Sequence, residues 1–133
     1  MKLKYVGLAL VFVWFAVGGY FHFASPDAFV RIVPPSLPYP LAIVYLSGVF
    51  ELLGAAGILL PRWRSNAGIG LFVLTICVTP ANVYMWQHAE LFPTVSETVL
   101  GLRLVLQVAL LACIGWSTQP TKQAMAQSNQ ASD

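Results

Sequence analysis

The chain has 133 residues, of which 58% are hydrophobic and 9% charged, with a formal net charge of +2 and a mean hydropathy of +0.74. A soluble domain of this size carries about a quarter charged residues. A water-covered surface cannot be built from so few charges, which points to a membrane protein.

Four apolar stretches account for this composition, each close to the roughly 20 residues that cross about 30 Å of hydrocarbon as a helix. The first runs from Tyr5 to Ala24, after Lys2 and Lys4. A basic start, an apolar run and the triplet Ala16-Val17-Gly18 also describe a cleaved leader, but the run is longer than a leader's apolar core and is read as a retained helix. Residues 25–40 then form a link carrying Pro26, Pro34, Pro35, Pro38 and Pro40 around Phe29, Ile32, Val33 and Leu37. Proline at this density predicts a turn of helix followed by a stiff, extended segment. It is expected to lie over the outer mouth of the bundle, either as a connector among the headgroups or as a lid.

The second stretch, Leu41 to Leu60, is joined to the third, Asn66 to Trp86, by residues 61–65, so short a turn that the two must be antiparallel neighbours. Pro80 removes one backbone hydrogen bond within the third stretch and frees the Ile76 carbonyl, predicting a kink beside Asn82. A polar link leads to the fourth stretch, Val99 to Trp116. The tail, 118–133, is rich in Gln, Ser, Thr and Ala without apolar period and reads as flexible or as frayed helix.

The expected fold is therefore all-α: four transmembrane helices (5–24, 41–60, 66–86 and 99–116) in an up-down-up-down bundle over residues 1–117, with a polar cytoplasmic tail. Lys2, Lys4, Arg62, Arg64 and Lys122 fall on one side and Arg31 on the other. That bias puts both termini in the cytoplasm.

Ionisable and strongly polar groups are costly in hydrocarbon unless paired, so those inside the spans mark the candidate site. They are His22, Glu51, Asn82, Arg103 and Gln107. Glu51 lies about 15 Å below the outer start of its helix, Gln107 about 12 Å and Arg103 about 6 Å at the helical rise. Asn82 and His22 stand near the outer ends of theirs, so all five share the outer half of the bundle. The second and fourth helices are diagonal in a square bundle, and Arg103 with Gln107 at i, i+4 share one face. Glu51 is accordingly expected to meet Arg103, directly or through a water, since a lone buried charge costs several kcal/mol. Tyr45, about two turns above Glu51, and Ser47 are placed at the pocket mouth. The cluster is either a clasp between helices or the lining of a cavity for a polar-headed, lipid-soluble ligand or a proton; the cavity is the favoured reading.

Gly48, Gly54, Gly57, Gly68 and Gly70 suit close helix packing. Cys77 and Cys113 differ in depth by about 10 Å, beyond the reach of a disulfide, and no C-x-x-C occurs. Both read as small packing residues. With two histidines and no paired spacing, no metal site is expected. No catalytic, phosphate-binding or nucleotide motif is visible, and the catalytic residues, if any, are unknown.

Several runs together resemble the DoxX-like family of small bacterial membrane proteins. They are Gly18 to Phe23 followed by Pro26, Phe29, Val33-Pro34 and Leu37-Pro38; Tyr45-Leu46-Ser47-Gly48 leading to Glu51-Leu52-Leu53-Gly54; Pro80-Ala81-Asn82-Val83-Tyr84; and Arg103-Leu104-Val105-Leu106-Gln107. The resemblance covers about Val6 to Trp116 and implies a four-helix protein of the bacterial cytoplasmic membrane. Members are associated with quinone-linked thiosulfate oxidation and thiol redox balance, and an animal relative acts as an assembly chaperone. Two functions follow as expectations. One is a subunit binding quinone or another lipid-like ligand in a membrane redox system, an accessory to an oxidoreductase at most. The other is a partner-binding or assembly protein in which the cluster is structural. The bilayer is an expected partner, a membrane protein or a second copy a further one, and nucleic acid is not.

Overall fold

The computed structural model describes residues 2–132. Helix α1 spans Lys2–Ala24, α2 Pro26–Val30, α3 Pro40–Leu59, α4 Arg64–Gln87, α5 Glu97–Thr118 and α6 Lys122–Gln130, with a 3₁₀ turn at Ala89–Leu91. No strand occurs among the described residues. Helices α1, α3, α4 and α5 are long and apolar enough to cross a membrane, and their ends fall within three residues of the four apolar stretches.

Local chemistry sets the boundaries. Pro40 occupies the first turn of α3, where a missing N–H costs nothing. Leu60 and Gln119 leave their helices in extended conformation just before Pro61 and Pro120, as a following proline demands. The Ser96 hydroxyl caps α5 by accepting from the Val99 N–H at 3.4 Å. Pro80 is accommodated inside an unbroken α4. The tail, expected to be flexible or frayed, contains the short helix α6, capped by Thr121 and exposed along its whole length.

The four long helices form a ring in which α1 packs on α3, α3 on α4, α4 on α5 and α5 on α1, leaving α1 and α4, and α3 and α5, as diagonals. The core lies toward the end away from the 25–40 link. There Leu8, Val11 and Phe15 of α1 meet Ala55 and Ile58 of α3, Leu71 of α4 and Ile114 of α5. Outward-facing positions are apolar as well: Leu10, Leu53, Val105 and Val108 are each more than 60% exposed. So continuous an apolar exterior is suited to a lipid-like surrounding.

Two glycines let α1 and α3 approach closely. A Cβ on Gly48 would stand 2.7 Å from the Cβ of His22, and one on Gly19 would stand 3.1 Å from the Gly48 carbonyl oxygen. Gly70 behaves differently from the packing role expected of it. Nothing lies within 4 Å of where its side chain would be, because it faces an open groove between α3 and α4 lined by Phe50, Leu53, Gly54, Ala67 and Val73.

At the link end, Ile32 is buried against Met85, Phe92 and Leu100. Arg31 reaches the Leu91 carbonyl at 3.5 Å and lies 5.8 Å from the centre of the Phe92 ring. The link thus crosses from the α1–α3 side to the α4–α5 side.

Candidate functional site

A cavity of about 580 Å³ occupies the link-end half of the bundle and touches all four long helices. His22, Ser47, Glu51, Asn82, Arg103 and Gln107 line it. The five polar residues read from the sequence therefore converge on one space, and Ser47, one helical turn before Glu51, joins them. Phe29, Ile32, Val33, Pro34 and Leu37 of the link also line it, so the link roofs the cavity as its position in the sequence suggested.

Tyr45 does not. It is exposed and stacks on Phe23, with ring centres 5.5 Å apart and planes 7° from parallel. Six residues at about 100° each turn a side chain some 240° around the helix, so Tyr45 points away from the face that carries Glu51. Ser47 and Glu51, four apart, are.

The polar groups form two separate walls. On the α1–α3 wall, His22 Nε2 lies 3.7 Å from Glu51 Oε1. His22 Nδ1 is 2.9 Å from the Val44 carbonyl, and the Phe29 ring covers the imidazole at 4.1 Å. Gly18 makes room for the carboxylate: a Cβ there would meet Glu51 Oε2 at 2.8 Å.

On the α4–α5 wall, Arg103 Nη2 donates to Asn82 Oδ1 at 3.3 Å and Nη1 points at Met85 Sδ at 3.3 Å. Asn82 Nδ2 donates to Gln107 Oε1. Gln107 Nε2 donates to Thr79 Oγ1 and, at 3.4 Å, to the Thr75 carbonyl. Thr79 Oγ1 donates to that same carbonyl at 2.9 Å. Every bond in this relay runs one way, from Arg103 toward Thr75.

The direct form of the contact expected between Glu51 and Arg103 does not form: among the described residues no carboxylate comes within 4.0 Å of the guanidinium. Helices α3 and α5 are diagonal with the cavity between them, whereas the glycines at 18, 19 and 48 bring α1 against α3. His22 therefore reaches Glu51 first. Thr75 and Thr79 were missed in the sequence, although with Asn82 they follow the i, i+4, i+7 spacing of one helix face. Cys77 is an exposed thiol at the cavity edge rather than a packing residue, and Cys113 Sγ lies 3.7 Å from the Gly7 carbonyl.

Residues 8–119 match the model of a family described as a domain of unknown function, DUF8561. The chain belongs to that family. No curated protein and no solved structure shows significant similarity to it. In this DUF8561 member the matched region contains the whole cavity lining, from Val13 to Leu110.

Proposed function

We propose that the chain is a multi-pass protein of the bacterial cytoplasmic membrane, up-down-up-down with both termini inside, whose cavity binds a small lipid-soluble molecule with a polar head. The observation that carries this reading is the division of the cavity's polar groups into two walls, the His22–Glu51 pair on one and the hydrogen-bonded relay from Arg103 to Thr75 on the other, with space between them. A clasp holding helices together would join the walls directly, since separated polar groups in an apolar medium gain nothing from the gap. The resemblance to DoxX-like proteins adds quinone as one such molecule and a membrane redox system as the setting, with this chain as a binding subunit.

The test is identification of small molecules co-purifying with the protein, using Val78→Trp to fill the cavity as a control. A defined species retained by the parent chain and lost from Val78→Trp is expected. If both retain the same species, the cavity is not its site.

The open groove at Gly70 supports a second reading, in which α3 and α4 dock another membrane protein and the chain serves assembly. Gly70→Leu would then remove a co-purifying protein partner while leaving small-molecule content unchanged.

A further inference from the structure

The proton inventory of the α1–α3 wall follows from its hydrogen bonds. A carbonyl oxygen only accepts, so the 2.9 Å contact with Val44 places a proton on His22 Nδ1. Nε2 then faces Glu51 Oε1 at 3.7 Å. With Nε2 bare and the carboxylate ionised, two acceptors would confront each other in a buried place. One proton resolves this, either on the imidazole or on the carboxyl, and in both arrangements the pair is neutral.

The opposite wall is not neutral. Arg103 carries a fixed positive charge, and the two neighbours it touches, Asn82 Oδ1 and Met85 Sδ, are uncharged. The ionisable residues that line the cavity are His22, Glu51, Cys77 and Arg103. With the pair neutral, the charge facing the cavity is the one positive unit of Arg103, an exposed side chain that borders the apolar lining. Asn82 and Gln107 cannot offset it: the amide oxygen of Asn82 is turned to Arg103 and the remaining amide groups are engaged along the relay to Thr75. Several guanidinium N–H groups stay free for a planar, two-oxygen acceptor.

The remaining lining is suited to a tail. Phe15, Val44, Leu74, Val78 and Leu110 line the cavity, while Trp14 and Val17 are half exposed and carry the lining to the outer surface of the bundle. Resting on the reading of the cavity as a binding site, we propose that its occupant is an amphiphile with a singly charged anionic head, held by Arg103 and balanced by the neutral His22–Glu51 pair, with its apolar tail along α1. A neutral head, that of a quinone included, would leave the Arg103 charge uncompensated, so the proposal narrows the reading above to anionic heads. A cationic head would be repelled.

The test uses the full chain in nanodiscs of phosphatidylcholine and four probes: dodecanoate, dodecanol, dodecyltrimethylammonium and a decyl-substituted benzoquinone. Binding is read as quenching of tryptophan fluorescence by tail-brominated forms and as complexes in native mass spectra. Dodecanoate is expected to bind about tenfold or more tighter than dodecanol, as a charge-assisted contact requires. Arg103→Gln should abolish that preference and Arg103→Lys restore part of it. Adding phosphatidylglycerol identifies the source of the anion: competition with dodecanoate assigns the site to a phospholipid head, and its absence to a single-chain acid, each in keeping with an anionic head. Equal binding of dodecanol or the benzoquinone would overturn the charge assignment and leave the cavity as a binding site. Binding of no probe would overturn the cavity reading itself. A dodecanoate preference that survives Arg103→Gln would place the anion elsewhere and sink the proposal.

Discussion

The two ends of the bundle are made from the same four helices and solve opposite problems. Away from the link, Val11, Ile58, Leu71 and Ile114 are at most 1% exposed, and a Cβ on Gly54 would strike the Leu71 side chain. Even the buried Ser117 hydroxyl is left without a partner there. Toward the link the α1–α3 pair stands apart from the α4–α5 pair, with polar side chains that meet along each wall but not across. The link end keeps its close contacts within the α1–α3 pair, at Gly19 and Gly48, and in the Ile32 cluster, and the cavity lies between them.

That contrast can be broken at the packed end first. Ile58→Ala should cost about 3 kcal/mol of stability through the void it leaves, whereas Val78→Ala, at the cavity, should cost about 1 kcal/mol or less; unfolding of both variants in one detergent measures the gap. Similar losses would mean that the cavity wall is as tightly determined as the core.

His22→Ala should cost about 2 kcal/mol, because it leaves the Glu51 carboxyl without its imidazole. The double variant with Glu51→Gln should recover roughly half of that by the same reasoning, and a cycle of the four proteins measures the coupling.

Tyr39 sits at φ 53 between Pro38 and Pro40, with its side chain 79% exposed. Left-handed backbone is unfavourable for any residue with a Cβ, so Tyr39→Gly should raise stability by about 1 kcal/mol; a lower melting temperature would show that its ring anchors the link.

Arg103→Ala should change stability least, by about 0.5 kcal/mol or less, as for other exposed charges without a carboxylate partner. A loss as large as that of His22→Ala would reveal a cross-cavity pairing with Glu51. The sequence alone favours that larger loss, since it assigns Arg103 to Glu51.

The source of that difference shows how far the sequence reaches. Helix limits were legible because hydropathy and proline positions carry them locally. The gathering of His22, Glu51, Asn82, Arg103 and Gln107 in one half was legible because helical rise converts sequence number into depth. Partner choice was not, since it depends on how closely neighbouring helices approach. Glycines 18, 19 and 48 decide this for α1 and α3, and their effect appears only when the two helices are placed face to face. Tyr45 lies off the cavity for a simpler reason, since a count of turns gives height and not helical phase, and Thr75 and Thr79 are faint in the sequence because hydroxyls in apolar runs stand out less than amides and charges.

The burial of Ile32 has a consequence for size selection. The link is covalently part of the α1–α3 pair, yet it buries this side chain among Met85, Phe92 and Leu100 of the other half. Any occupant wide enough to wedge the two halves apart at the link end must first withdraw Ile32 from that cluster, at about 2 kcal/mol. Under the binding role proposed above, thick, branched heads are thereby disfavoured by roughly thirtyfold in affinity relative to slender ones, a sieve set by one aliphatic side chain that need not touch the head itself.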